Sequence, residues 1–326
     1  MFIDAPGRVR VGDAPYPRLH EGWVIIESRV VGICGTDKAF YRGSYPLFKQ
    51  PLIPGHEVSG IVVEGPEEII GRSVVSEINF ACLKCEVCKR GLYTHCPRRR
   101  TLGIDFDGGM AEYFTAPLWA IHAHRLPHER AFAAEPLAAV LHAIDDTPPG
   151  PGDLVAILGT GFIAYLLAAV LERHGFRPVV VGREGSPKAE RLRKMGFRVV
   201  GYEEALEIGR AESWSGLGYD LVFEATGSNN GLKQAIALAR PRGTVHLKST
   251  PGGDATLDQT LAVVKEVRIH TSRCGVSSHF RSAIQLLGDS EFHIPVDAAY
   301  PLDRAPEAFE ESLKPGIMKI LVKPGE

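Results

Sequence analysis

Four of the chain's six cysteines fall within NFACLKCEVCKRGLYTHC, residues 79–96, as Cys82, Cys85, Cys88 and Cys96 in a C-x2-C-x2-C-x7-C pattern. The lysine, glycine and polar residues between them suit a loop folded tightly around an ion. Four thiolates satisfy tetrahedral zinc and leave no position for a substrate, so this site is expected to be structural. Free thiols or disulfides are the competing reading, disfavoured at this spacing in a reducing compartment. A redox C-x-x-C is disfavoured too, because no thioredoxin-like strand and helix surround the pair.

A second set is scattered: Cys34 in VVGICGTD, His56 and Glu57 in PGHE, and Glu135 in AAEPLAAVLHA. A catalytic zinc takes three protein ligands of mixed type and keeps one exchangeable position, which a cysteine, a histidine and a carboxylate from separate segments can supply. Each residue has an ordinary explanation when taken alone. Cys34 reads as a small buried hydrophobe, His56 as a hydrogen-bonded loop residue, and Glu135 as a helix N-terminal carboxylate just before Pro136. Their order and flanking glycines shift the balance toward a metal.

The third constellation lies in DLVAILGTGFIAYLLAAVLERHG, residues 153–175. Leu154 to Leu158 form a short apolar run suited to a buried parallel strand, and Gly159, Gly161, Phe162, Ile163 and Ala164 turn directly into a nearly all-apolar helix. This is G-x-G-x-x-A, in which glycines let the backbone approach a pyrophosphate at a helix N-terminus. The next strand-like run, Val179 to Val181, follows at the expected separation. An NAD site places Asp or Glu ~20 residues after the glycines to hold the ribose hydroxyls. Here Gly182 and Arg183 stand in that place, with Ser186 and Lys188 close behind. A guanidinium binds a 2'-phosphate where a carboxylate repels it, so NADP(H) is expected. In the competing reading, Arg183 is solvated and Glu184 turns inward to serve NAD(H).

These groups must be positioned by two kinds of element. Strand and helix alternate from residue 153 through 219–224, 230–239, 243–248 and 267–273, which predicts a doubly wound α/β domain with a parallel sheet. Before it, residues 1–147 read as short strands broken by glycine and proline, a mostly-β domain that carries the cysteine lobe at 79–100. The cluster TPPGPGD, 147–153, marks the boundary. The chain has 326 residues, 44% hydrophobic and 23% charged, so two ordinary globular domains are expected and disorder is excluded. A net charge of -2 gives no footprint for nucleic acid or an anionic membrane, and Arg98–Arg100 reads as a solvated patch. No apolar stretch reaches the ~18 residues of a membrane span and no signal peptide is evident, so a cytoplasmic location is expected.

The motifs GICGTD, PGHEVSG, the four-cysteine lobe, GGMAEY, EPLAAVLHA and GTGFIA occur in the order seen in zinc-dependent medium-chain alcohol dehydrogenases. The chain resembles that family over nearly its whole length, most of all the threonine, sorbitol and glucose dehydrogenase-like branches. The resemblance implies a Rossmann domain at 148–279 and a GroES-like catalytic domain formed by 1–147 and the returning segment from about 280 to 326. It implies two zinc ions per chain. Cys34 and His56 are similar to the ligands of the catalytic zinc, with Glu57 and Glu135 competing for the carboxylate position, and the four cysteines to the structural lobe. Thr36 is similar to the hydroxyl that relays the substrate proton, and Lys319 to a basic residue facing the pyrophosphate. The histidine that ends the relay in some relatives is replaced here by Ala39.

The activity implied is hydride transfer between an alcohol or polyol, or the matching aldehyde or ketone, and NADP(H). A homodimer or homotetramer is implied, with VRIHTSRC a candidate pairing strand. Cys274 within it is assigned no chemistry. A rival from another class is a zinc-stabilised nucleotide sensor that carries one zinc per chain and no dehydrogenase activity.

Overall fold

The computed structural model describes residues 1–255 and 257–325. The chain folds as two units, Met1–Ala138 with Cys274–Glu326, and Ala139–Arg273. The mostly-β first unit begins with a small hairpin, β1 (Phe2–Ala5) and β2 (Arg8–Arg10). Its sheet takes β3 (Trp23–Gly32), β4 (Glu57–Glu64) and β5 (Ser73–Ser76), then β8 (Tyr113–Pro117) and β9 (Ile121–Ala123). Between them, β6 (Asn79–Phe80) and β7 (Arg100–Thr101) pair at the base of the cysteine lobe. Helices α1 (Gly35–Arg42), α2 (Glu86–Lys89), α3 (His128–Ala131) and α4 (Ala134–Asp146) belong to this stretch.

The second unit holds β10 (Val155–Leu158), β11 (Val179–Val181), β12 (Val199–Val200), β13 (Tyr219–Glu224), β14 (Ala239–Leu247) and β15 (Arg268–Thr271). Its connecting helices are α5 (Phe162–Arg173), α6 (Pro187–Lys194), α7 (Tyr202–Ala211), α8 (Gly231–Leu238) and α9 (Gln259–Val264). The chain then returns to the first unit through α10 (Ser277–Leu287), β16 (Ala298–Pro301), α11 (Ala305–Ser312) and β17 (Ile320–Lys323). The first-unit sheet has the order β16-β17-β3-β4-β5-β9, with β8 also on β3, so the returning segment completes it.

In the second unit the strand order is β12-β11-β10-β13-β14-β15, all parallel. This is the doubly wound order in which the strand sequence reverses beside the first strand, and ligands bind at the carboxyl ends of the strands there. The apolar run at 154–158 is fully buried from Val155 to Leu158, as a strand covered on both faces requires. The division between units falls within α4, upstream of the Pro-Gly cluster. An uninterrupted helix carries the chain across, and TPPGPGD only ends that helix. The second crossing comes at Arg273–Cys274, earlier than residue 280.

A buried histidine inside the second unit makes its stability pH-dependent. His246, on β14 and fully buried, contacts Thr147 Oγ1 at 2.9 Å through Nδ1 and Ser272 Oγ at 2.8 Å through Nε2. Thr147 gives its proton to the Ala143 carbonyl, so it accepts from Nδ1–H and leaves Nε2 as the acceptor for Ser272. Burial, then the nearby Lys248, lowers the His246 pKa to about 4. The unfolded chain binds this proton near pH 6.5, so stability is complete above that value and falls as the pH drops toward 4. Denaturant titration of the second unit should lose up to about 3 kcal/mol over this window. A profile unchanged by His246→Asn would show that other groups set the acid limb.

Candidate functional site

Cys34 follows β3 and caps α1, with Asp37 Oδ2 accepting from its backbone N–H at 2.9 Å. This bond fixes the first turn and places the Cys34 sulfur 3.9 Å from Thr36 Oγ1. His56 and Glu57 lead into β4. The GGM segment holds them from behind: Gly109 N–H donates to Gly55 O at 2.8 Å and Met110 N–H to Pro54 O at 3.0 Å. Glu135 lies in the first turn of α4, before Pro136. His56, Glu57 and Glu135 are 3%, 2% and 7% exposed, so the set is withdrawn from bulk water.

His56 is the centre of this group. Burial alone would lower its pKa, but Cys34, Asp37 and Glu135 carry it well above its ordinary value. Its Nδ1 finds no hydrogen-bond partner and lies 3.9 Å from Asp37 Oδ1, which also lacks one. That separation is too long for a hydrogen bond, and buried polar atoms are seldom left unpaired. A cation on the other ring nitrogen would polarise Nδ1–H toward Asp37, the arrangement in which a carboxylate fixes a ligating imidazole. The donors therefore fit a zinc ion. Asp37 escapes the motif reading, although its place three residues after Cys34, in the first helical turn, was an available signal.

The two carboxylates expected to compete for a metal have different surroundings. Glu57 Oε2 accepts from Lys319 Nζ at 2.5 Å, and the same amine donates to Ile33 O at 3.1 Å. The charge of Glu57 is thus balanced by a lysine 2% exposed, whereas Glu135 acts on His56. Lys319, expected to face a pyrophosphate, is buried in the first unit against Glu57. Tyr41 and Ala39 lie on α1, and Ala39 offers no side-chain proton acceptor.

The cysteine lobe is tighter. Cys85 and Cys88 sulfurs lie 3.5 Å apart, Cys82 and Cys96 3.5 Å, Cys85 and Cys96 3.9 Å, and Cys82 and Cys88 4.0 Å. Zn–S bonds of about 2.3 Å in a tetrahedron require edges of about 3.8 Å, whereas a disulfide needs about 2.05 Å. All six cysteines are free. Backbone N–H groups of Cys82 and Arg98 donate to Cys96 Sγ at 3.5 and 3.4 Å. The backbone at Lys84 draws the Cys82 thiol down to about 6. That shift favours the Cys82 thiolate, the form that binds metal, whereas burial and the neighbouring Cys85 thiol push Cys88 up to about 12. Among the described residues this is the one group whose ligand atoms all lie within 4.8 Å of one another, so the Cys34 set is the more open.

In the second unit Gly161 caps α5, leaving the first-turn N–H groups at Phe162 and Ile163 pointing beyond the helix end. Gly159 has φ +126°, and a Cβ there would stand 2.6 Å from Ala225 O, so only glycine fits. A Cβ on Gly182 would meet Thr160 Cγ2 at 2.8 Å, which bars an acidic side chain from the position where NAD sites carry one. Arg183 and Glu184 are both exposed on the following turn, and Lys188 is half-buried on α6.

Comparison with known proteins agrees with this geometry. Residues 20–127 match the Alcohol dehydrogenase GroES-like domain and residues 160–289 the Zinc-binding dehydrogenase family. A sorbitol dehydrogenase from Halalkalibacterium halodurans is 30% identical over 98% of this chain and 96% of its own. The chain belongs to the zinc-dependent medium-chain alcohol dehydrogenase superfamily. An L-threonine 3-dehydrogenase from Pyrococcus horikoshii is 33% identical, covering 78% of this chain and 76% of its own. A putative zinc-binding dehydrogenase from Sinorhizobium meliloti, solved bound to NADP, superposes with a TM-score of 0.87 at 27% identity, covering 99% and 98% of the two chains. This medium-chain dehydrogenase is thus an oxidoreductase of alcohol or polyol dehydrogenase type, with GroES-like and Rossmann domains. No helix among its described residues is long and apolar enough to cross a membrane.

Proposed function

We propose that this dehydrogenase transfers a hydride between an alcohol or polyol, or the matching carbonyl compound, and NADP(H), with two zinc ions per chain. The observation that carries the reading is the gathering of Cys34, Asp37 and Glu135 around buried His56. Cys34, His56 and Glu135 would hold the catalytic zinc, and Cys82, Cys85, Cys88 and Cys96 the structural one. Bound zinc supplies Lewis acidity that lowers the pKa of an alcohol oxygen.

Thr36 accepts the substrate proton and passes it outward, and with Ala39 in the family's histidine position the next acceptor is water. Asp37 orients His56. Glu57, committed to Lys319, balances charge behind the site. Gly159, Gly161 and the first turn of α5 receive the pyrophosphate, and Arg183 and Lys188 the 2'-phosphate. All four residues of β15, at the sheet's edge, are exposed, which supports association through a second copy's matching strand. The protein is read as cytoplasmic.

The test is the initial rate of NADP+ reduction across alcohols, polyols, aldoses and L-threonine, with NAD+ in parallel and dissociation constants for NADPH and NADH. Turnover on at least one substrate and tighter NADPH binding are expected; tighter NADH would overturn the roles of Arg183 and Lys188. A second reading, a nucleotide sensor with one structural zinc, is favoured only by the looseness of the Cys34 set beside the cysteine lobe. Silence across the panel from protein holding one zinc per chain would select it.

A further inference from the structure

Glu224 ends β13 with its side chain almost completely buried, 2% exposed, at the carboxyl edge of the parallel sheet. Oε1 accepts from Thr226 N at 2.8 Å and from Thr226 Oγ1 at 2.5 Å, and Oε2 accepts from Ser249 Oγ. A carboxylate held this way is expensive to keep, because hydroxyls and one amide must replace its hydration. Gly231, the first residue of α8, leaves room for it, since a Cβ there would overlap Oε1. The helix N-terminus adds partial positive charge.

What Glu224 fastens is a neighbour of the phosphate-binding turn. Ser249 follows β14 and Thr226 follows β13, so one carboxylate ties two adjacent strand exits together. Between Glu224 and Thr226, Ala225 N–H donates to Leu158 O at 2.8 Å. Gly159, next to Leu158, lies so close that a Cβ on it would stand 2.6 Å from Ala225 O and 3.1 Å from Thr226 N. β10 and β13 are the neighbours at which the strand order reverses. The backbone fixed by Glu224 is therefore the surface on which Gly159 rests.

We propose that Glu224 is a positioning residue for the nicotinamide cofactor, whose carboxylate clamps the exits of β13 and β14 and so sets the place of the Gly159 turn. This rests on the reading of Gly159 to Ala164 as the dinucleotide cradle. The backbone there approaches the ligand directly, so a displacement of a fraction of an ångström is felt in binding. Glutamine preserves the clamp. Its Oε1 still accepts from Thr226, and its amide donates to Ser249 Oγ, a hydroxyl free to rotate. Alanine removes every contact.

The experiment measures NADPH and NADH dissociation constants and steady-state constants for the full-length, zinc-loaded protein and its Glu224→Ala, Glu224→Gln and Ser249→Ala variants. Glu224→Ala should weaken the better-bound cofactor about tenfold or more, the loss of hydrogen bonds to a charged group. Its KM for cofactor should rise more than kcat falls. Glu224→Gln should stay within about threefold of the parent, and Ser249→Ala, which keeps the carboxylate, should fall between the two. A merely structural role would lower thermal stability in both Glu224 variants without this separation of binding constants. Cofactor affinity within twofold of the parent in Glu224→Ala overturns the proposal, as does a glutamine variant as impaired as the alanine one. Should Glu224→Ala not fold, unchanged affinity in Ser249→Ala overturns it instead. Failure of the unmodified protein to bind either nucleotide would instead sink the cradle reading itself.

Discussion

Cys34→Ser should abolish measurable turnover, lowering kcat/KM by at least about a thousandfold, while NADPH binding changes by less than about threefold. Serine keeps the size and the N-cap geometry, because the bond that starts α1 runs from the Cys34 backbone N–H to Asp37 and does not use the sulfur. The variant should therefore fold. What it loses is the one soft donor of the proposed set, leaving His56 and Glu135 with a hydroxyl that binds zinc weakly. Metal analysis should then show a fall from two zinc ions per chain to one, the remaining ion held by the cysteine lobe.

Cys85→Ser gives the contrasting result. It removes one vertex of the four-sulfur cluster and should chiefly lower stability and soluble yield. Retained turnover in Cys34→Ser would remove this residue from the chemistry. Loss of NADPH binding in the same variant would mean that the substitution disturbs more than the metal.

The sequence made the local devices legible and left hidden those that depend on distant pairing. The gathering of Cys82, Cys85, Cys88 and Cys96 could be read because side chains that converge from one loop must have fixed spacing. The Gly159 turn could be read because a buried strand, a glycine pair and an apolar helix follow one another without a break. Asp37 was nearly legible, being a short-range helix cap on Cys34. The partner of Glu57 was not, since Lys319 stands 262 residues away and comes to it only when β17 joins β3 in the first-unit sheet. Glu224 was hidden for the same reason: in sequence it is a charged residue at the end of an apolar strand, and only the parallel pairing of β13 with β14 brings Ser249 to it. The boundary was expected at 147–153 because proline and glycine mark where a helix stops, whereas the division between the two units lies within that helix.

The buried pair of Glu57 and Lys319 should give the largest change in stability. Both side chains are nearly sealed from solvent, at 2% and 3%, and the lysine amine has the Ile33 carbonyl as a further partner. Lys319→Met preserves the length of the side chain but leaves the carboxylate facing a thioether. Gly32, paired with Glu57 across the sheet, gives no room to move away, since even a Cβ there would meet Glu57 Oε2 and the Phe132 ring. Nearby Asp37 is also buried, and its desolvation already pushes its pKa up, so the region cannot absorb another uncompensated carboxylate. Breaking a buried pair on one side costs about 3–5 kcal/mol, much of it the desolvation of the charge left behind. Denaturant unfolding of the first unit should show that loss. Glu57→Gln combined with Lys319→Met should recover most of it, because the double variant buries no net charge. If the double variant were no more stable than Lys319→Met alone, the amine would owe its importance to the Ile33 carbonyl and to packing. A loss below about 1 kcal/mol in the single variant would mean that Glu57 takes up a proton, or water enters, when its partner is removed. Zinc analysis of the same proteins tests the proposed ligand set: if Glu57 is committed to Lys319 and Glu135 holds the catalytic ion, Glu135→Gln should release that zinc and Glu57→Gln should retain it.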